Sequence, residues 1–314
     1  DDGWGQAWEL VPSAYLFAHV HQALLGLLNI QFGTGTVVQL HCFADPLIDE
    51  ALDAFLDLKS RPDPLIQASA RRTYAYLREG TGGLAALHGI PLRNFRLILS
   101  IKTRKPLGAD LRRQIEEQLS KLGITRLAPE ALITFYRRIF NGVFENAPGV
   151  FARGSDDMPA RPVRKQLIDA GPDLVFDGPE LFLGDQVARC LTPKSPARRV
   201  TAERCNRLLG GMRGASEDSD QIGGPFLYTL NILFDHSSFE IHKRAQILSA
   251  QKAAGSFAVE VGKQIEEIGW VLDEAGNSRF VSVIPVIWVF GRDSAQAREM
   301  AARAKRLWES EPLP

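Results

Sequence analysis

The stretch Arg93-Asn94-Phe95-Arg96-Leu97-Ile98-Leu99-Ser100-Ile101-Lys102 decides the fold class of this sequence. Every second residue from Phe95 to Ile101 is apolar, and successive side chains of a strand point to opposite faces of its sheet. Ile98 adds an apolar side chain on the second face. Apolar residues on both faces predict a strand in the interior of a sheet that helices cover.

Segments with a helical period lie on both sides of this strand. The helix predicted over residues 110–122 carries Leu111, Ile115 and Leu119 on one face, and Gly123 is placed to end it. The pattern over residues 1–140 predicts the order β-α-β-α-α-β-α-β-α. This order indicates helices packed on a sheet.

The chain is expected to divide into two lobes. Residues 141–161 hold clusters of Gly, Pro and Asp with little periodicity, which is typical of a linker. We therefore place an N-terminal α/β lobe at 1–142, a linker at 143–161 and a second α/β lobe at 162–314. The predicted fold class is mixed α+β, with a sheet packed with helices in each lobe.

The second lobe begins with short strand-like pieces around 165–168 and over residues 174–191, which predict a small antiparallel meander. A strong strand follows at 225–234. A long helical region is expected over 238–272, with Gly255 or Gly262 as the candidate position of a break.

The amino-acid composition and the net charge indicate which classes of function are compatible with this sequence. Hydrophobic residues make up 45% of the chain and charged residues 24%, which is typical of a globular protein with a core. The 37 basic and 37 acidic residues cancel. A generic nucleic-acid binder usually carries a basic excess, so no direct nucleic-acid partner is expected.

The three cysteines are odd in number and form no C-x-x-C pair, which favours a reducing compartment over a disulfide framework or zinc site.

No apolar run approaches the roughly 20 residues that span a bilayer. The sequence opens on Asp1-Asp2-Gly3-Trp4 without an initiator Met or a basic signal peptide, and we expect it to be a piece of a longer polypeptide.

A nucleotide-hydrolysing motif is absent from the sequence. A Walker A loop, G-x-x-x-x-G-K-[ST], joins backbone N–H groups, a lysine and a hydroxyl around the phosphates and their metal. The one Gly-Lys pair, Gly262-Lys263, is followed by Gln264, and Phe257 stands where the first glycine is needed. We therefore expect no P-loop motor domain, no catalytic residue, no metal ligand and no cofactor site in this chain.

Candidate interaction residues are few. Arg198, Arg199 and Arg204 form a basic segment that could contact an anionic partner, although one solvated basic segment is common. Trp308 lies near the end of the sequence and is a candidate interface anchor, because aromatic residues are enriched at interfaces.

Two other functions stay open on the residues alone. A stand-alone enzyme could place an unrecognised site between the lobes, with Asp235, His236 and Glu240 as its first candidates. A nucleic-acid-contacting module could use Arg198 and its basic neighbours, in which case binding would weaken steeply with salt.

Four phrases of the sequence resemble conjugative-transfer ATPases of the TraC class. The stretch that begins at Pro91 resembles a strand of that family, and a second hallmark strand and a polar helix follow in the same order. The phrases are Pro91–Ser100, Lys165–Asp169, Pro225–Ile232 and Lys243–Ala254.

The resemblance implies a role in type IV secretion, in the bacterial cytoplasm at the cytoplasmic face of the inner membrane. In this family the corresponding region precedes a C-terminal motor that binds ATP and Mg²⁺, and none of the motor's residues can be placed in this chain. The resemblance implies a docking domain that anchors the motor to the inner-membrane channel base. Expected partners are inner-membrane channel components and, through the full-length protein, further copies of itself; membrane contact would be peripheral, through partners.

Overall fold

The computed structural model describes residues 3–12, 18–59, 61–85, 89–144, 162–167, 174–184, 186–194, 208–209, 221–234, 238–253, 258–274 and 281–309. In this part of the chain, strands form a single antiparallel sheet in the order β4-β1-β3-β2-β8-β9-β7-β6-β5. The strands are β1 (Trp4–Leu10), β2 (Thr36–Asp45), β3 (Asn94–Thr103), β4 (Ile124–Arg126), β5 (Leu174–Asp177), β6 (Glu180–Leu183), β7 (Gln186–Leu191), β8 (Phe226–Phe234) and β9 (Ser282–Gly291).

Helices connect and cover these strands, so the predicted mixed α+β class is confirmed. The helices in the described part are α1 (Ala18–Asn29), α2 (Asp49–Asp57), α3 (Pro64–Glu79), α4 (Ala109–Leu119), α5 (Pro129–Asn141), α6 (Ser238–Ala253), α7 (Ala258–Glu274) and α8 (Ser294–Glu309). The element order from β1 to α5 is the predicted one. The helical region expected over 238–272 is described as two helices, α6 and α7, and Gly255 lies outside the described residues.

The stretch from Arg93 to Lys102 forms most of β3, which carries buried apolar residues on both faces as predicted. Leu99 and Ile101 pack in one core cluster and Ile98 packs in another, and all three are fully buried. Its neighbours are β1 and β2, which pair with it in antiparallel register. The two-sided apolar pattern therefore marks the interior of the sheet.

Three clusters of apolar side chains form the core. On one face of the sheet, α1 and α4 cover β1, β3 and β2, with Trp8 and Val38 in the cluster. On the same face, α8 packs over β8 and β9 around Phe226 and Val289. On the opposite face, α5 packs on Phe43, Ile98 and Leu227 together with the strands β6 and β7.

Strands from both predicted lobes join in this one sheet. The pairing of β2 with β8 runs from Thr36 opposite Phe234 to Ala44 opposite Phe226. The prediction of a separate sheet in each lobe is therefore wrong for the described strands. Both β2 and β8 carry buried residues on their two faces, and such a pattern shows that a strand is central without showing which strand lies beside it.

The predicted meander is confirmed for β5, β6 and β7, which pair in sequence. The strand-like piece expected around 165–168 is wrong for its described residues, because Val163–Lys165 forms a 3₁₀ turn. It lies at the edge of the common sheet, because β7 pairs with β9. Residues 145–161 of the predicted linker lie outside the described residues, and the lobe boundaries stay a prediction.

Candidate docking surfaces

The two arginines of the stretch that decides the fold serve the fold itself. Arg93 donates to the carbonyl oxygens of Ile222 and Gly224, at 2.6 and 2.9 Å, and to Oε1 of Gln221 at 2.9 Å. Its guanidinium also lies over the ring of Phe226, 5.5 Å from the centroid. Burial lowers the pKa of Arg93 to about 10. Arg93 therefore joins β3 to the segment that leads into β8.

Arg96 and Arg138 form ion pairs on the α5 side of the sheet. Arg96 makes a two-point contact with Glu9 of β1, at 2.8 and 3.0 Å. Arg138 of α5 pairs with Asp45, whose carboxylate also accepts the N–H of Leu47 at 2.8 Å. Burial raises the pKa of Asp45 to about 6, and the charge of Arg138 opposes that shift. These pairs hold α5 and the strands together.

A polar network centred on His41 crosses the same face. Nδ1 of His41 lies 3.0 Å from Oγ1 of Thr229, and Nε2 lies 3.2 Å from Oγ of Ser100 and 3.1 Å from the hydroxyl of Tyr136. Burial lowers the pKa of His41 to about 4, so the ring is neutral at pH 7. Because each ring nitrogen has a partner, the network links β3, β2, β8 and α5 as part of the fold.

Only some of the candidate site residues from the sequence lie in the part of the chain that the structure describes. Arg198, Arg199 and Arg204 lie outside the described residues, as do Asp235 and His236. Glu240 belongs to the first turn of α6. The structure therefore brings none of these residues together within its described part, and their roles stay predictions.

Trp308 lies near the end of α8, partly buried against the cluster that contains Phe226 and Val289. Its role as an interface anchor stays a prediction. The tryptophan with the largest exposed fraction is Trp270 of α7, at 64%. Trp270 was not among the candidates from the sequence, although an aromatic residue four positions after Glu266, on a helix face that also carries Lys263, is a visible signal.

Two helices between the paired strands β8 and β9 form a hairpin. The contacts of α6 and α7 are chiefly with each other, and Leu248 and Val261 are buried. Ile247 is 50% exposed. A helical hairpin that keeps apolar side chains in solvent offers a surface to a partner.

An open groove of about 1090 Å³ runs between the two helices. Apolar side chains from both helices line it, and basic and acidic side chains lie on opposite helices. The lining residues are Lys243, Arg244, Ile247, Leu248 and Gln251 of α6 and Gln264, Glu267, Ile268 and Val271 of α7.

A second open surface is the edge strand β5. Its residues Leu174, Val175 and Phe176 are all exposed, and Phe176 is 75% exposed. The other edge strand, β4, has three residues and ends in Arg126. Short or charged edges resist the addition of a further strand, whereas an apolar edge favours it.

Metal binding and membrane spanning find no support among the residues that the structure describes. There, no group of three or more His, Cys, Asp or Glu side chains is placed to hold a metal ion. Within the same ranges, no helix combines the length and the apolar character that crossing a membrane requires.

Comparison with known proteins gives one family match. The model of the family described as "TraC protein" matches residues 1–314. Among curated proteins, no match is found.

Proposed function

This chain belongs to the TraC protein family, and from that premise we propose that it is the docking part of a secretion motor. Membership of the family supports a role in conjugative transfer by type IV secretion. The proposal adds that the chain anchors an ATP-hydrolysing motor to the inner-membrane base of the channel, at the cytoplasmic face. In this proposal the chain itself turns over no ATP, and ATP and Mg²⁺ bind to the motor.

The observation that carries the docking role is the open edge of the sheet at β5. Asp177 and Glu180 pair across the two-residue turn of Gly178 and Pro179. In a hairpin of this kind the pair that flanks the turn is hydrogen bonded, and the next pair is not. The backbone groups of Leu174 and Phe176 therefore point away from β6, toward the open edge.

An extended segment of a channel component would bind there by adding a strand to the sheet. Backbone hydrogen bonds would supply affinity, and contacts with alternate side chains would supply specificity. Leu174 and Phe176 lie on one face of β5 and Val175 lies on the other, so the added strand would meet apolar side chains on both faces.

A conjugation assay with the full-length protein tests this proposal. We expect Phe176→Asp to lower transfer frequency by at least about tenfold, because each 1.4 kcal/mol lost from docking is tenfold in binding. Leu65→Asp is the matched control, since Leu65 is 79% exposed and lies on α3. Normal transfer by the Phe176 variant, at normal protein level, would contradict docking at β5.

Cross-linking identifies the partner in the same cells. A photo-reactive amino acid at position 176 should capture an inner-membrane channel component, and the same group at position 65 should not. If position 176 captures no channel component in transfer-competent cells, the docking role is wrong.

The non-enzymatic part of the proposal has its own test. The purified 314-residue chain should release no phosphate from ATP above the buffer rate. Hydrolysis that stays with the chain through successive purification steps would contradict it.

A further inference from the structure

The two helices of the hairpin carry opposite charges. Helix α6 has three basic residues and one acidic residue, whereas α7 has one basic residue and five acidic residues. Formal charge is therefore positive on α6 and negative on α7. A hairpin with this pattern is complementary to a second copy of itself, provided that each helix meets the helix of opposite charge.

The groove shows where such a partner would sit. Ile247 and Leu248 of α6 line the groove together with Ile268 and Val271 of α7, so apolar side chains of both helices border it. Lys243 and Arg244 line it from α6, and Glu267 lines it from α7. The basic side chains of α6 and the acidic side chain of α7 therefore border the same groove.

We propose that a second copy of this chain packs its hairpin into the groove, so that α6 of each copy lies against α7 of the other in a four-helix bundle. We call the end of the hairpin at Ala253 and Ala258 its tip, and the tips of both copies would point the same way. The apolar side chains of the two grooves would form the bundle core, with Lys243 and Arg244 of each copy opposite Glu267 of the other.

Charge selects this arrangement over the alternative. If the tips pointed in opposite directions, antiparallel packing would place α6 against α6 and α7 against α7. Like charges would then face each other along both contacts, which costs binding free energy. With the tips at the same end, every neighbouring pair of helices is antiparallel and opposite in charge, as in compact bundles of helical hairpins.

The helices are long enough for such a contact. With 16 residues in α6 and 17 in α7, each spans about 24–26 Å at 1.5 Å per residue. This association uses a surface separate from β5, so it stands whether or not a channel component binds at that edge.

Sedimentation velocity of the 314-residue chain tests the proposal through charge reversal. The wild-type chain should form a dimer of twice 34.7 kDa at roughly micromolar concentration. Lys243→Glu with Arg244→Glu, and separately Glu267→Lys, should each raise the dissociation constant at least about tenfold, since each places like charges in contact. Circular dichroism checks that the helices are retained.

Two controls match these variants. Glu266→Lys makes the same charge change as Glu267→Lys, one residue away, at a position that does not line the groove. Lys252→Glu reverses one basic charge of α6 that likewise does not line the groove. Both should leave the dissociation constant within about threefold of wild type, since charges outside the contact contribute little.

Mixing the two groove variants tests whether their opposite charge changes compensate each other. An equimolar mixture of the two groove variants should form a heterodimer. The acidic positions 243 and 244 of one variant then meet the basic position 267 of the other, and the reverse contact keeps its wild-type charges. A wild-type chain that stays monomeric overturns the proposal, and so does a mixture that stays monomeric. Equal weakening by the groove and control variants also overturns it.

Discussion

Nδ1 of His41 lies 3.0 Å from Oγ1 of Thr229, although 188 positions separate the two residues in the sequence. The contact joins β2 to β8, where the strands of the two predicted lobes meet. Tyr136 of α5 approaches the other ring nitrogen at 3.1 Å. The centre of the sheet is thus held by buried polar contacts as well as by apolar packing.

The first prediction concerns Thr229. Thr229→Val keeps the shape of the side chain and leaves Nδ1 of His41 without its partner. A buried polar atom that loses its partner costs about 1–3 kcal/mol, and we expect the free energy of unfolding in urea to fall by that amount. The exposed Thr125 of β4 is the matched control, and Thr125→Val should change stability by less than about 0.5 kcal/mol.

The second prediction concerns pH. The pKa of His41 is lowered from 6.5 to about 4 by burial. Between these values the unfolded chain holds a proton on His41 that the folded chain lacks, so acidification favours unfolding. The contribution is fully present above pH 6.5 and is lost by about pH 4, with a total of roughly 3 kcal/mol.

The variant His41→Gln isolates this effect. The unfolding free energy of the wild type minus that of the variant should decrease steadily from pH 7 to pH 4. Asp45 titrates in the opposite direction, since burial raises its pKa to about 6, but it is present in both proteins and cancels in the difference. A difference that does not change with pH would contradict a buried neutral His41.

The third prediction concerns the pair of Arg138 and Asp45. The Asp45 side chain is 2% exposed, so removal of Arg138 leaves a buried charge with the N–H of Leu47 as its remaining described contact. We expect Arg138→Met to lower the unfolding free energy by about 3–5 kcal/mol at pH 7. Arg113→Met, which breaks an exposed pair with Asp110, should cost less than about 1 kcal/mol.

The fourth prediction concerns Arg93. Arg93→Lys keeps the charge and loses the planar set of donors that reaches Ile222, Gly224 and Gln221. We expect a loss of about 1–3 kcal/mol and faster amide exchange in the segment from 221 to 224. Exchange in α4, which is remote from this contact, serves as the internal reference. Unchanged exchange near Ile222 would show that Arg93 does not hold the segment.

The sequence predicted the parts of the fold that local patterns encode. Alternation in β3 indicated a strand buried on both faces, and the apolar period over 110–122 indicated the helix α4. The pairing of β2 with β8 could not be read in the same way, because a period of two reports burial and contains no information on the neighbouring strand.

The candidate surfaces were harder to predict for a related reason. The residues of β5 read as an ordinary strand of a meander, and they become a candidate docking surface because β5 lies at the end of the sheet. The charges of α6 and α7 are visible in the sequence. Their significance depends on the two helices packing side by side with an open groove, which follows from tertiary structure.

The pairing of β2 with β8 also sets an order of events during synthesis. After β2 leaves the ribosome, the strand it pairs with is still unmade, since Thr229 follows His41 by 188 residues. At about 5–20 residues per second, this wait lasts roughly 10–40 s. During that time the nascent chain can complete β1, β3 and α4 but must leave one side of β2 open. Pairing between strands this far apart in sequence slows folding and leaves an unpaired strand edge exposed until β8 arrives.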